Sequence, residues 1–119
     1  MISLKHWRDS KDELERMGVD LPRFDVAAVR EAGKKQPVWI HFGGGNLYRA
    51  FHAEIAQNLA DAGELKRGVV VTEVFSPFTV ENVYAPYNCD SLQVIMNPDG
   101  TLAERILAST ADAVFANPS

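Results

Sequence analysis

The sequence predicts an α/β fold: a partial parallel βαβ unit with an appended antiparallel hairpin and short N-terminal helices. Three observations predict it. A bulky apolar run, Val38 to Phe42, stops at Gly43, Gly44 and Gly45. Beyond the glycines, Leu47, Phe51, Ile55 and Leu59 recur every four residues, the spacing of one helical face. A second β-branched run, Val69 to Val74, follows a polar loop. Strand, helix and strand in that order imply parallel pairing through a right-handed crossover.

Taken in order, Ser10 with Glu13 three residues on fits a capping box, so a helix is expected from Lys11 to Met17, stopped by Gly18. Leu21-Pro22 is a break. Asp25 can cap a second helix, Val26 to Ala32, ended by Gly33 and the pair Lys34-Lys35. Residues 1–36 therefore read as a helical lead-in, and 37–119 as a partial dinucleotide-binding domain. The run from Val38 to Phe42 reads as a strand buried on both faces. His41 interrupts it and reads more readily as a hydrogen-bonded core residue than as a ligand. In the next helix, Ala53, Ala56 and Ala60 allow close approach to a sheet, and Gly63 is a C-terminal stop. Ser76 to Asp90 shows no clear period and reads as loop with at most a helical turn. Leu92 to Met96 and Leu102 to Ser109 read as a hairpin around the turn Asn97-Pro98-Asp99-Gly100. Ala111 to Ala116 reads as a short helical piece.

Size and composition set bounds. The 119 residues suit one domain, 46% hydrophobic and 24% charged. The net charge of −4 argues against nucleic-acid binding, and Lys34-Lys35 and Lys66-Arg67 read as solvated surface. No apolar run approaches the ~18 residues of a membrane span. The polar N-terminus lacks a signal-peptide core. One cysteine, Cys89, rules out an internal disulfide and reads as a structural or surface thiol. A cytoplasmic protein is expected.

The glycines carry the functional signal. In a Rossmann-like βαβ unit, one glycine turns sharply off the strand and a second leaves room for a pyrophosphate. The helix N-terminus then offers free N–H groups to the phosphates. Gly43 and Gly45 occupy these places, with Gly44 making the loop more permissive. Asn46 can cap the helix or donate to a phosphate. The third motif glycine falls at Tyr48, a departure from G-x-G-x-x-G. The ribose-binding acid, expected about 20 residues past the motif, is Glu73 at the end of the second strand, somewhat late. A carboxylate there favours NAD over NADP, and residues 74–80 hold no Lys or Arg to neutralise a 2′-phosphate. Arg49 can reach a phosphate or pair with an acid such as Asp90. Next to the apolar stripe, His52 has Ala56 rather than a ligand at i+4, so no helical metal site is expected. The bland alternatives are a glycine turn that binds nothing and a solvent-facing Glu73.

At GGGNLYRAF the chain resembles the long-chain polyol and hexuronate dehydrogenases, the family of mannitol dehydrogenase and fructuronate reductase. Gly43, Gly45, Asn46, Arg49, Ala50 and Phe51 match that family's signature, in which a non-glycine at position 48 is normal. Leu21-Pro22-Arg23-Phe24-Asp25, GVVVTE and SLQVIMNPDGT also look like it, so the resemblance runs from about residue 20 to the end. It implies metal-free, NAD-linked oxidoreduction of a sugar alcohol or hexuronate. Proton transfer would come from a lysine with asparagine and histidine helpers in a later, mostly helical domain. Nothing here matches that lysine motif, so no catalytic residue is assigned. The chain is expected to be the N-terminal cofactor-binding part of such an enzyme, inactive alone, and to self-associate through an open sheet edge. The competing expectations are a non-catalytic nucleotide- or protein-binding module and a fragment without ligand affinity.

Overall fold

The computed structural model describes residues 2–116. A short 3-10 turn, Trp7–Ser10, leads into helix α1 (Lys11–Arg16). The Ser10 side chain makes no capping hydrogen bond, so the expected capping box is not formed. The preceding 3-10 turn supplies the entry to the helix instead. Gly18 then leaves the helix with φ +85°, a conformation in which glycine carries no steric penalty. Helix α2 (Val26–Lys35) starts as expected, with Asp25 accepting from the Ala28 amide. It does not stop at Gly33. That residue is buried inside the helix, against the backbone of Gly68 and the Ala111 side chain. Its missing side chain serves close approach rather than termination.

Strand β1 (Ile40–Phe42) pairs in parallel with β2 (Val69–Glu73), and His41 lies opposite Val71. Between them a π-helical turn, Tyr48–His52, runs into helix α3 (Ala53–Asp61). The βαβ unit is therefore present. Its sheet has a third member, because β5 (Thr110–Phe115) pairs in parallel with the other side of β2, giving the order β1-β2-β5. The helical piece expected at Ala111 to Ala116 is this strand. Its alanines have weak strand propensity, but the edge of β2 takes up its backbone hydrogen bonds and tertiary pairing decides. The hairpin β3 (Ser91–Met96) and β4 (Leu102–Leu107) forms a separate antiparallel pair, as the turn signal predicts. Residues 80–87, inside the segment read as loop, form a π turn and a 3-10 turn.

Burial corrects one further expectation. Strand β1 is not covered on both faces. Its His41 face meets the helix, whereas Ile40 and Phe42 on the opposite face are exposed, Phe42 to 76%. β1 is an edge strand here, and nothing among the described residues covers that side. The stripe of Leu47, Phe51, Ile55 and Leu59 on the helix faces outward, with Leu47 72% exposed. The helix buries Ala53, Ala56 and Ala60 against Val69 and Val71, the close approach expected of these alanines. It also buries Gln57, which accepts from the Ala108 amide and donates to the Ile106 carbonyl. These bonds to the chain around β4 fix which helical face turns inward. A second cluster joins Trp7, Leu14, Val19, Leu21 and Val26 to Ile106 and Ala108.

Candidate functional site

The site is built where β1 ends. Gly43 closes the strand by donating its amide to Thr72 O (2.7 Å), then turns with φ +99°. A side chain at Gly43 or at Gly45 would meet nothing within 4 Å, so both face open space. Gly44 differs. A β-carbon there would lie 2.9 Å from Val71 Cγ1 and 3.1 Å from Tyr84 Cε2. The middle glycine thus fits the loop against the core rather than loosening it. The helix opens after Gly45, whose carbonyl accepts from the Arg49 amide (3.2 Å). First-turn amides have no intrahelical acceptor and carry the positive end of the helix dipole. Asn46 sits inside that first turn, and its Oδ1 accepts from Arg49 Nη2. The π turn that follows is a local widening of the kind often found at functional sites.

Glu73 ends β2 beside this loop. Its Oε2 accepts from the Gly44 amide (3.3 Å), and Oε1 from the amides of Val74 and Phe75 (3.1 and 3.4 Å). The carboxylate is therefore oriented by three backbone donors, and each oxygen retains acceptor capacity. Arg49 donates to the Gly44 carbonyl (2.8 Å) and lies over the Tyr84 ring at 5.8 Å. It does not pair with Asp90. That buried carboxylate instead accepts from Arg30 Nη2 (2.5 Å) and Trp7 Nε1 (2.8 Å), with Arg8 at 3.7 Å. So the structure gathers Gly43, Gly44, Gly45, Asn46, Arg49 and Glu73 around one turn.

Beneath the loop lies a group that sequence reading did not assemble. The His41 ring packs on Tyr48 (centroids 4.8 Å) and on His52 (4.6 Å). The Tyr48 hydroxyl is hydrogen-bonded to Thr110 Oγ1 (2.9 Å), and burial raises its pKa above the ordinary phenol range. His52 Nδ1 is buried without a hydrogen-bond partner. His41 resists protonation because of burial and then the neighbouring His52 charge. Tyr84 is the other missed residue: its hydroxyl donates to the Gly44 carbonyl (2.7 Å). It sits in an aperiodic stretch, and no local pattern marks it. Burial pushes the Cys89 thiol up to about 11, which makes it a poor nucleophile. Among the described residues no group of three or more His, Cys, Asp or Glu is placed to hold a metal ion. Nor is any helix among them long and apolar enough to cross a membrane.

No protein-family model matches the chain. D-mannonate oxidoreductase of Thermotoga maritima is 42% identical over 105 residues, covering 88% of this chain and 20% of that protein. Mannitol 2-dehydrogenase of Pseudomonas fluorescens, solved as a ternary complex with NAD and D-mannitol, superposes with a TM-score of 0.69 at 19% identity. That match covers 88% of this chain and 21% of the other. D-sorbitol dehydrogenase in its substrate-free form gives 0.68 at 21% identity, over 83% of this chain and 20% of that one. This chain thus spans about a fifth of the length of each relative. The two structural neighbours share its fold, and the sequence match adds common descent. Over the residues matched, the chain belongs to the mannitol dehydrogenase family of long-chain polyol and hexuronate dehydrogenases.

Proposed function

We propose that the chain is the N-terminal, NAD-binding portion of an oxidoreductase that moves hydride between a secondary alcohol carbon and the nicotinamide. The observation that carries this reading is the open space over Gly43 and Gly45 at a helix N-terminus, with Glu73 alongside. Side chains at those two positions would fill the place where a diphosphate meets backbone amides. Gly43, Gly44, Gly45 and Asn46 form the phosphate turn, with Arg49 contributing positive charge. Glu73 accepts from the ribose hydroxyls, which makes the cofactor NAD. When bound, NAD supplies the hydride acceptor. The chain's own residues bind and orient it, and no residue here is assigned to proton transfer.

The substrate is a sugar alcohol or a hexuronate. The sugar-acid arm, of fructuronate reductase type, is favoured because the 42%-identical relative bears D-mannonate in its name. A reducing, cytoplasmic compartment suits the unpaired thiol of Cys89.

The test is a titration with NADH followed by nicotinamide fluorescence, for the wild type and for Gly45→Val. The wild type should saturate below about 1 mM. The variant should lose binding by at least roughly tenfold while keeping its melting temperature, because its side chain enters open space. Equal binding by the two proteins would place the diphosphate elsewhere. A flat wild-type titration would remove cofactor binding by this chain.

A further inference from the structure

We propose that Tyr84, acting with Arg49, is a positioning residue that locks the Gly44–Gly45 peptide so that the Gly45 N–H faces the cofactor side. This rests on the NAD-binding reading above. The glycines that make room for a diphosphate also create a difficulty. A peptide bond between two glycines turns over at little steric cost, because neither residue has a β-carbon. Turned one way it presents an N–H donor. Turned the other way it presents a carbonyl oxygen, which repels a phosphate oxygen. Something outside the loop must choose.

The structure shows the choice being made at the Gly44 carbonyl. Its oxygen accepts from the Tyr84 hydroxyl at 2.7 Å and from Arg49 Nη1 at 2.8 Å. Tyr84 lies on the inner side, being only 2% exposed and part of the cluster under the sheet, while Arg49 is half-buried at the rim of the turn. No peptide bond in the chain is cis. In a planar trans peptide the C=O and N–H vectors are opposed. With the Gly44 oxygen held inward, the Gly45 N–H therefore points outward, where a side chain at Gly45 would meet nothing within 4 Å. The peptide on the other side of Gly44 is tied as well, by its amide to Glu73 Oε2. Tyr84 is suited to the task because burial pushes its hydroxyl up to about 12, so it remains a donor at neutral pH. A β-carbon at Gly44 would also lie 3.1 Å from the Tyr84 ring and 2.9 Å from Val71 Cγ1, which disfavours any side chain at the middle position.

The experiment compares wild type with Tyr84→Phe, which keeps the ring and deletes the donor. Three ligands are titrated by NMR: NADH, ADP-ribose and adenosine. Backbone 15N relaxation is recorded at Gly44 and Gly45 in the free protein. Losing one buried hydrogen bond should weaken NADH and ADP-ribose by about tenfold and leave adenosine unchanged. It should also introduce exchange broadening at Gly45. An equal loss for all three ligands would mark Tyr84 as merely structural and overturn the proposal, as would an unchanged Gly45 signal with unchanged affinities. Should Tyr84→Phe fail to fold, Arg49→Lys keeps the charge but replaces the guanidinium that reaches the Gly44 carbonyl with a shorter ammonium, and a phosphate-selective loss in the same direction is expected. If the wild type binds no NADH, the NAD reading fails by itself. The relaxation arm then decides alone: broadening at Gly45 supports the lock, and its absence removes it.

Discussion

Two sides of the molecule satisfy themselves to very different degrees. On the side formed by the N-terminal helices and the β3–β4 hairpin, Trp7 is 2% exposed and its indole N–H is spent on Asp90. Arg30 and Arg8 complete that carboxylate's surroundings, and Arg105 pairs with Asp61 and Asp20. On the side of β1 and the outer face of α3, large apolar side chains from Val38 to Leu59 stand in solvent. A carboxylate as buried as Asp90 persists only where partners are supplied within the structure. An apolar stripe in water has no comparable local remedy. It is either functional or waiting to be covered. The difference teaches that the buried carboxylate of the first side is completed by this chain's own residues, although the hairpin there still exposes Val94, Met96 and Leu102, whereas the apolar stripe of the second side has no such completion.

Breaking the close packing of α2 should have the largest effect. At Gly33 in α2 an added β-carbon would lie 2.4 Å from Gly68 O, 2.6 Å from Gly68 N and 2.8 Å from Ala111 Cβ. Alanine in a helix interior gains up to ~1 kcal/mol over glycine. Overlap with backbone that cannot swing away costs on the order of 3 kcal/mol, so the overlap wins. Gly33→Ala should lower the melting temperature by roughly 10 °C or more. A rise would mean that α2 does not approach β2 and β5 so closely.

The exposed side should respond in solubility rather than stability. We expect the chain to self-associate through the open edge of β1 and the stripe next to it. Replacing Leu47 and Phe51 together by lysine removes apolar surface that is already exposed, so stability should stay within about 0.5 kcal/mol of wild type. Sedimentation velocity across a concentration series should show association in the wild type and less of it in the double variant. A wild type that stays monomeric at high concentration would end this expectation.

The same contrast explains what the sequence made legible. The βαβ order, the hairpin and the glycine turn depend on local signals: period, turn residues and missing side chains. Those were readable. So was the close approach of the α3 alanines to the sheet; the contact that anchors that helix was not. That contact is made by Gln57, whose bonds to Ile106 and Ala108 lie 49 and 51 residues away. Strand β5 was misread for a related reason, since pairing with β2 overrides the local preference of ADAVFA. That the glycines, Asn46, Arg49 and Glu73 meet around one turn could be read from spacing. Tyr84 could not, because it reaches Gly44 across 40 residues from a stretch without periodicity. Arg49 shows both limits at once: its place near the loop was legible, but not that it bonds the Gly44 carbonyl while Arg30 and Trp7 bond Asp90.

The smallest expected effect is a difference in how the two sides answer acid. His41 has its pKa lowered, by burial first and then by the His52 charge. A base with a depressed folded pKa takes up its proton in the unfolded chain first. Stability present above the unfolded value of about 6.5 is therefore lost as pH falls toward the lower folded value. Asp90 moves the other way. Burial raises its pKa, outweighing the opposing pull of Arg30, Trp7 and Arg8. Its folded form takes up a proton before the unfolded chain does, so falling pH favours folding at that position, in a window just above the ordinary carboxylate value. Melting temperature measured against pH should thus fall first below about 6.5, through His41. In His41→Phe, which keeps an aromatic ring against Tyr48 and His52, that early fall should flatten. His52→Gln should flatten it partly, because it removes only the second of the two causes. If both variants keep the wild-type slope between pH 6.5 and 5, the acid response belongs to other groups, and the ring cluster under the glycine turn is electrostatically silent.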